Sequence, residues 1–342
     1  MRWQAIVHAA VLSAGLVACS PALAPVVELG SPATALPAAI ATPVHPTPGA
    51  VTPTLTPSTV LAPAPGGGGP APQSPAAPAT PAGPIPTPTH PPDPPPVAGV
   101  SAAAFVVLDA ATGAVLSEYH AHDRRSPASL TKIMTALVVL ERSADLAAVV
   151  TVPEAVTALR ASTLMGVPPG ERVTVRDLLY GLLLPSGNDA AVALATHVAG
   201  SEPAFVALMN QRARELGLRD TQFTNSHGLD FRDWGSPYTS AYDLAVMTQA
   251  AVSNATFRQI VATRSYVAPG ERAAYPMQNL NTLLGGYAGA DGVKIGWTRR
   301  AGNTIAASAA RGGRRIITVA LGSTNRNGDA RLLLDVGFAA GS

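Results

Sequence analysis

Only two of the 23 lysine and arginine residues in this chain are lysine, Lys132 and Lys294. Where a positive charge alone suffices, the chain uses arginine. A lysine amine can lose its proton inside a protein and act as a base, whereas a guanidinium effectively cannot. The two exceptions are therefore candidates for chemistry. Lys132 closes Ser129-Leu130-Thr131-Lys132, Lys294 opens Lys294-Ile295-Gly296, and Ser186-Gly187-Asn188 lies between them. Ser129 is the only serine three residues ahead of a lysine, because Asp291 holds that place before Lys294. On a helix this spacing stacks two side chains on one face, one turn apart. A hydroxyl becomes a nucleophile when a base lies within hydrogen-bond reach, and a neutral amine serves. Free lysine titrates near about 10.4, so burial or a neighbouring cation such as Lys294 must depress Lys132.

The remaining motif residues supply the other parts of an acyl transfer. A serine at a helix start keeps its own backbone N–H free to stabilise a developing oxyanion. The pattern S-x-N occurs at Ser186–Asn188 and again at Ser323–Asn325, but only the first lies between the lysine motifs, after Pro185. There Ser186 is placed to relay a proton between Lys132, Lys294 and a leaving amine, and Asn188 to hold a substrate amide. Asp189 reads as a helix-terminus residue. Residues 292–298 read as a strand edging the site. Gly296 admits a substrate backbone, the Trp297 N–H is a second oxyanion donor, its side chain is expected to pack, and Lys294 supplies charge to a substrate carboxylate.

These residues need a scaffold. Residues 100–119 read as a hairpin, with strands at 105–108 and 114–116 and turn chemistry at 109–113. Helices are predicted from Ser129 through Glu141, from Thr174 to Pro185 with a Thr174/Asp177 cap, over 188–198, over 203–216, and over 330–338. Strands are predicted at 292–298, 303–310 and 314–321. Arg311, Arg314 and Arg315 read as a solvated turn, and His120 and His122 as an exposed one without a third metal ligand. Strands from both ends around a helical middle predict an α/β domain of α+β type: one antiparallel sheet built from both chain ends, flanked by helices, plus a helical subdomain with a cleft beside it.

The N-terminus is of another kind. Residues 1–18 read as a signal peptide, and Leu16-Val17-Ala18-Cys19 is similar to a bacterial lipobox, which makes Cys19 the expected lipidation site. Cys19 is the only cysteine, so no intrachain disulfide forms. Residues 19–98 hold 24 of the 33 prolines and only Glu28 and Asp93 as charges. That composition predicts a disordered tether, reaching at most about 230 Å at about 3.1 Å per residue. The folded domain is expected over 99–342. A net charge of +2 implies no nucleic-acid partner.

Beyond the three motifs, the stretches SPASLTKIMTAL (126–137), DLLYGLL (177–183), SGNDAA (186–191), NSHGLD (225–230) and GADGVK (289–294) stand in the same order as in a known family. The chain resembles the low-molecular-mass penicillin-binding proteins that are serine-type D-alanyl-D-alanine carboxypeptidases. The resemblance implies a β-lactamase/transpeptidase-like fold and an acyl-enzyme on Ser129, with Lys132 as base, peptidoglycan stem peptides as substrates and β-lactams as covalent inhibitors. It implies no cofactor and no metal. Arg326 falls where the family binds the terminal carboxylate, and His227 where a structural hydrogen-bonder stands. One departure is Ile295, where the family has threonine. The lost hydroxyl is worth about 1.5–3 kcal/mol on a charged acceptor, for which Thr298 or Arg326 is expected to compensate. The sequence stops at Gly341-Ser342 without the C-terminal anchor of many relatives, so the N-terminal lipid is expected to hold the protein to the membrane. Two other readings stay open. One is a β-lactamase, for which residues 221–229 offer no deacylating acid; the other is a non-catalytic wall-binding or penicillin-sensing module.

Overall fold

The computed structural model describes residues 97–340 apart from 161, 232 and 233. The expected signal peptide, Cys19 and the tether up to residue 96 lie outside the described residues. In chain order come β1 (Ala104–Asp109), β2 (Val115–Tyr119), a 3₁₀ turn (Ala128–Leu130), α1 (Thr131–Arg142), β3 (Val149–Thr151), a 3₁₀ helix (Glu154–Leu159), β4 (Arg172–Thr174), α2 (Val175–Leu183), α3 (Asn188–Ala199) and α4 (Glu202–Glu215). Then follow α5 (Ala241–Ser253), α6 (Ala255–Ala262), β5 (Ser265–Ala268), β6 (Tyr275–Gln278), β7 (Ala290–Thr298), β8 (Gly302–Arg311), β9 (Arg314–Ser323) and α7 (Arg326–Ala339).

The main sheet has the order β2-β1-β9-β8-β7 and is antiparallel throughout. Its two ends of sequence meet where β1 pairs with β9, from Ala104↔Leu321 to Asp109↔Ile316. Both faces are covered, which is why β1 reads as an unbroken apolar run rather than an alternating one. Phe105, Val107, Ile305 and Ile316 join Leu333 and Leu334 of α7 on one face. Val106, Leu108, Ile317 and Val319 face the larger core with α1 and α5. α2 packs on α3 and α3 on α4, forming the helical part. α1 lies at its centre, buried continuously from Thr131 to Val139.

The structure departs from the sequence reading in several places. Ser129 sits on a 3₁₀ turn, and α1 begins only at Thr131. Ala128 has φ +49°, a left-handed conformation that an α-helix cannot incorporate. α7 starts at Arg326 rather than near 330, because the Asn325 side chain accepts from Gly328 N, 3.2 Å, and caps it. The second S-x-N is thus a helix cap. α5 and α6 were not anticipated: α5 is Ala-rich and packed on both sides, so it carries no polar stripe to betray its period. The arginine turn is bound down rather than solvated. Arg314 Nε donates to Asp109 Oδ2 at 2.8 Å, Arg315 pairs with Asp291, and Arg311 lies over the Tyr287 and Phe338 rings.

One loop fixes the start of α1. Asn225 Oδ1 accepts from the backbone N–H groups of His227 and Gly228, and Thr135 Oγ1 donates to Ser226 O at 2.6 Å. Gly228 has φ +91°, and a Cβ there would lie 1.9 Å from Ala128 O. Only glycine lets the loop close onto the residue before Ser129.

Candidate active site

The 3₁₀ turn and the first turn of α1 bring Ser129 and Lys132 together, with Lys132 Nζ 3.2 Å from Ser129 Oγ. Lys132 is fully buried. Its Nζ also donates to Asn188 Oδ1 at 2.6 Å and to His227 O at 2.7 Å. Burial first, and the nearby Lys294 second, push its pKa well below the usual lysine value, while Asp189 pulls the other way. A neutral amine has two N–H bonds and one lone pair. In that neutral form Asn188 and His227 would take the two N–H bonds, which leaves the lone pair for the Ser129 hydroxyl. Burial and the adjacent Lys132 also push His227 well below its ordinary value. Its ring nitrogen Nδ1 accepts from Leu229 N, so it adds no second cation.

Asn188 does more than its expected role. Its carbonyl holds Lys132 and one N–H of its amide donates to Ser162 Oγ at 2.8 Å, which fixes the group and leaves its second N–H uncommitted. Asp189 is no simple helix terminus. Its carboxylate accepts from the backbone N–H groups of Met165, Gly166 and Val167. It therefore clamps the segment that presents Ser162, a residue the motifs did not flag.

Ser186 is buried, left-handed at φ +66°, and its Oγ has no hydrogen-bond partner among the described residues. A non-glycine residue held there costs about 1–2 kcal/mol. Lys294 is buried, near enough to Lys132 for its charge to act there, and its Nζ donates to Ile295 O at 2.9 Å. Burial, then the Arg326 charge, lower it from 10.5 to about 7.

Above these groups opens a cleft of about 1050 Å³, lined among others by Ser129, Ser162, Ser186, Asp230, Ile295 and Trp297. β7 is the edge strand here. A Cβ on Gly296 would lie 2.8 Å from Ser129 N, so that strand runs level with the serine's backbone donor. The Trp297 side chain is 63% exposed and does not pack. Thr298 Oγ1 donates to Asp230 Oδ2 at 2.7 Å and accepts from Ala301 N at 3.0 Å, so its proton is committed away from a substrate. Ser126 Oγ donates to the same Asp230 oxygen. Arg326 Nη1 reaches Gly296 O at 3.4 Å and Asn303 Oδ1 at 3.2 Å.

Lys294 also makes a prediction about stability. Unfolded, the amine holds its proton up to about 10.5; folded, it releases it near about 7. Between those values the unfolded chain binds one proton more, so stability rises with pH, and the full penalty applies below the lower value. Lys294→Met is expected to stabilise the fold by up to about 5 kcal/mol at about pH 6, with the gain falling as pH rises and gone above about pH 10.5. Urea unfolding at both pH values checks it; an equal change at the two would refute the assignment.

The profile of the D-alanyl-D-alanine carboxypeptidase family matches residues 89–325. The D-alanyl-D-alanine carboxypeptidase DacD of Salmonella typhimurium is 40% identical over 262 residues, 72% of this chain and 64% of that protein. DacB2 of Mycobacterium tuberculosis is 38% identical over 250 residues, 71% of this chain and 84% of that protein. This chain spans less than two thirds of the DacD protein and of the Bacillus subtilis DacF protein, 64% and 61%. The crystal structure of the Streptomyces K15 DD-transpeptidase superposes with a TM-score of 0.66 at 36% identity, covering 70% of this chain and 98% of that one. A profile matched over most of the sequence, and a shared fold at this identity, agree with the serine–lysine geometry: the chain belongs to the D-alanyl-D-alanine carboxypeptidase family.

Proposed function

We propose that this protein is a serine-type D-alanyl-D-alanine carboxypeptidase that removes the terminal D-alanine from peptidoglycan stem peptides. The observation that carries the reading is the Lys132 amine, buried, depressed, and with both N–H bonds spent on carbonyl oxygens while Ser129 Oγ stands 3.2 Å away. Lys132 takes the Ser129 proton as Oγ bonds to the penultimate D-alanine carbonyl carbon. The backbone N–H groups of Ser129 and Trp297 hold the oxyanion. Lys294 and Arg326 bind the terminal carboxylate. The tetrahedral intermediate breaks its C–N bond, and the proton passes from Lys132 through Ser186 to the departing amine. Water then adds to the ester by the reverse proton path and frees Ser129. A β-lactam enters the same first step. The β-lactamase reading is disfavoured, because the acid lining the cleft, Asp230, already has one oxygen shared by two hydroxyls.

Lipid attachment at Cys19 would hold this domain outside the cell membrane on a Pro-rich tether. Two acyl chains anchor far more firmly than one. Cys19→Ser should move the protein from the membrane to the soluble fraction, and unchanged fractionation would sink the anchor.

Release of D-alanine from a pentapeptide, followed by mass spectrometry, is expected from the wild type and absent in Ser129→Ala. The profile of kcat/KM against pH reports the free enzyme. Lys132 works neutral, so the rate rises as pH climbs through its depressed pKa. Lys294 works as a cation, so the rate falls as pH climbs through about 7. A profile still rising at high pH would contradict the Lys294 role.

Ile295 lines the cleft while its side chain packs under α7. Threonine keeps the β-branch and adds the missing donor. Ile295→Thr should raise acylation by a fluorescent penicillin about tenfold or more, at the expense of about 1 kcal/mol of lost burial. An unchanged acylation rate would contradict this account of position 295.

A further inference from the structure

We propose that Arg299 and Arg300, at the turn between β7 and β8, form an anion-reading rim that selects peptides bearing a second carboxylate on the donor side of the scissile bond. This rests on the carboxypeptidase reading above and names its substrate class. Both arginines are exposed, and both line the cleft that holds Ser129. Arg300 Nη1 donates to Ser236 Oγ at 3.0 Å, which pins one guanidinium without neutralising it.

Position along β7 sets what they can reach. Gly296 is level with the Ser129 backbone N–H, and a strand rises about 3.3 Å per residue, so Thr298 at the end of β7 lies roughly 7 Å further on and the turn carrying 299 and 300 lies just beyond it. Arg326, by contrast, contacts Gly296 O itself. The terminal carboxylate belongs at that near cation and at Lys294. The acyl portion of the peptide leaves in the other direction, past Trp297 towards the arginine turn. One residue of extended chain covers about 3.6 Å, and a long side chain on the next residue reaches roughly another 6 Å by the same bond lengths. A carboxylate ending that side chain arrives at the rim. Exposed apolar surface of Phe231, Leu280 and Trp297 lines the same cleft and suits the methylene chain between.

The charge inventory points the same way. Among the described residues the lining carries Arg299, Arg300 and Arg326 against one acid, Asp230, whose Oδ2 is taken by Ser126 and Thr298. A substrate with a single carboxylate engages Arg326 and leaves the other pair idle. A second carboxylate gives that pair charge-assisted hydrogen bonds. Two groups in a stem peptide have this chemistry: the side-chain carboxylate of a diamino-dicarboxylic third residue, and the α-carboxylate of a γ-linked glutamate before it.

The test uses the full-length protein and peptides ending in D-Ala-D-Ala. Their third residue is a diamino-dicarboxylic acid, the same residue with its side-chain carboxylate amidated, or lysine; a fourth peptide has the glutamate α-carboxylate amidated. The wild type is expected to favour the doubly acidic peptide in kcat/KM by about tenfold at low salt, with the preference shrinking at high ionic strength. In Arg299→Ala/Arg300→Ala the ratio between peptides should collapse to about one, and Arg299→Glu/Arg300→Glu should favour lysine. Whichever amidation removes the preference identifies the carboxylate that is read. A wild type indifferent to both amidations, or variants that slow every peptide by one factor, would overturn the proposal. If no peptide releases D-alanine, the carboxypeptidase reading fails; protection of Ser129 from fluorescent penicillin by the same peptides still measures the preference.

Discussion

A neutral amine offers two N–H bonds and one lone pair, and the whole active region is arranged around where those three directions point. Asn188 Oδ1 and His227 O take the hydrogens of Lys132, so its lone pair has the Ser129 hydroxyl as its partner. Each acceptor comes from a different part of the chain: α3 delivers Asn188, and the loop closed by Gly228 delivers the carbonyl of His227. The amine is therefore oriented by tertiary structure and not by the S-x-x-K spacing alone. The spacing brings the base near; two distant carbonyls decide which side of it is basic.

That arrangement is costly for the fold. Two lysines and an arginine converge within one region, with Lys132 and Lys294 both buried. Two non-glycine residues, Ala128 and Ser186, are held left-handed beside the catalytic motifs. Strain and like charge of this kind persist only when the surroundings over-determine them. Here the surroundings are a sheet covered on both faces and a central helix buried along its first nine residues. Asp189 offsets part of the charge problem from a fixed position, since four backbone N–H groups hold its carboxylate.

Much of this was legible in residue order. Rare lysines flagged the site, apolar runs bounded by turn residues gave the sheet, and the Thr174 cap marked α2, where Thr174 Oγ1 accepts from Asp177 N. What stayed hidden had a common physical cause. A backbone carbonyl such as that of His227 has no side-chain signature, so its role emerges only from the fold. Asn188 carries donors and an acceptor, and the sequence cannot say that its carbonyl holds Lys132 while one N–H is tied to Ser162. Thr298 looked available to a substrate until Asp230 appeared across the cleft as the acceptor for its proton. α5 escaped because a helix packed against neighbours on both sides loses the polar stripe by which helices are recognised.

Ile295 shows how the two levels meet. Its side chain lies on the α7 face of the sheet, in the same cluster as Ile305 and Leu333, yet it also borders the cleft. A threonine there would face both ways, placing a methyl in the core and a hydroxyl at the mouth of the carboxylate site. Isoleucine resolves that conflict in favour of packing. Thr298 does not take over the lost donor, because Asp230 holds its proton. Under the proposed function, recognition of a terminal carboxylate would fall on charge, through Lys294 and Arg326, rather than on a directional hydroxyl. Charge is long-ranged and tolerant of geometry, where a hydroxyl is short-ranged and exacting. A site built this way should bind its carboxylate more loosely in orientation and more sensitively to protonation of Lys294, which titrates near about 7. Under that proposal, isoleucine at position 295 would move substrate recognition from a fixed contact to a titratable one.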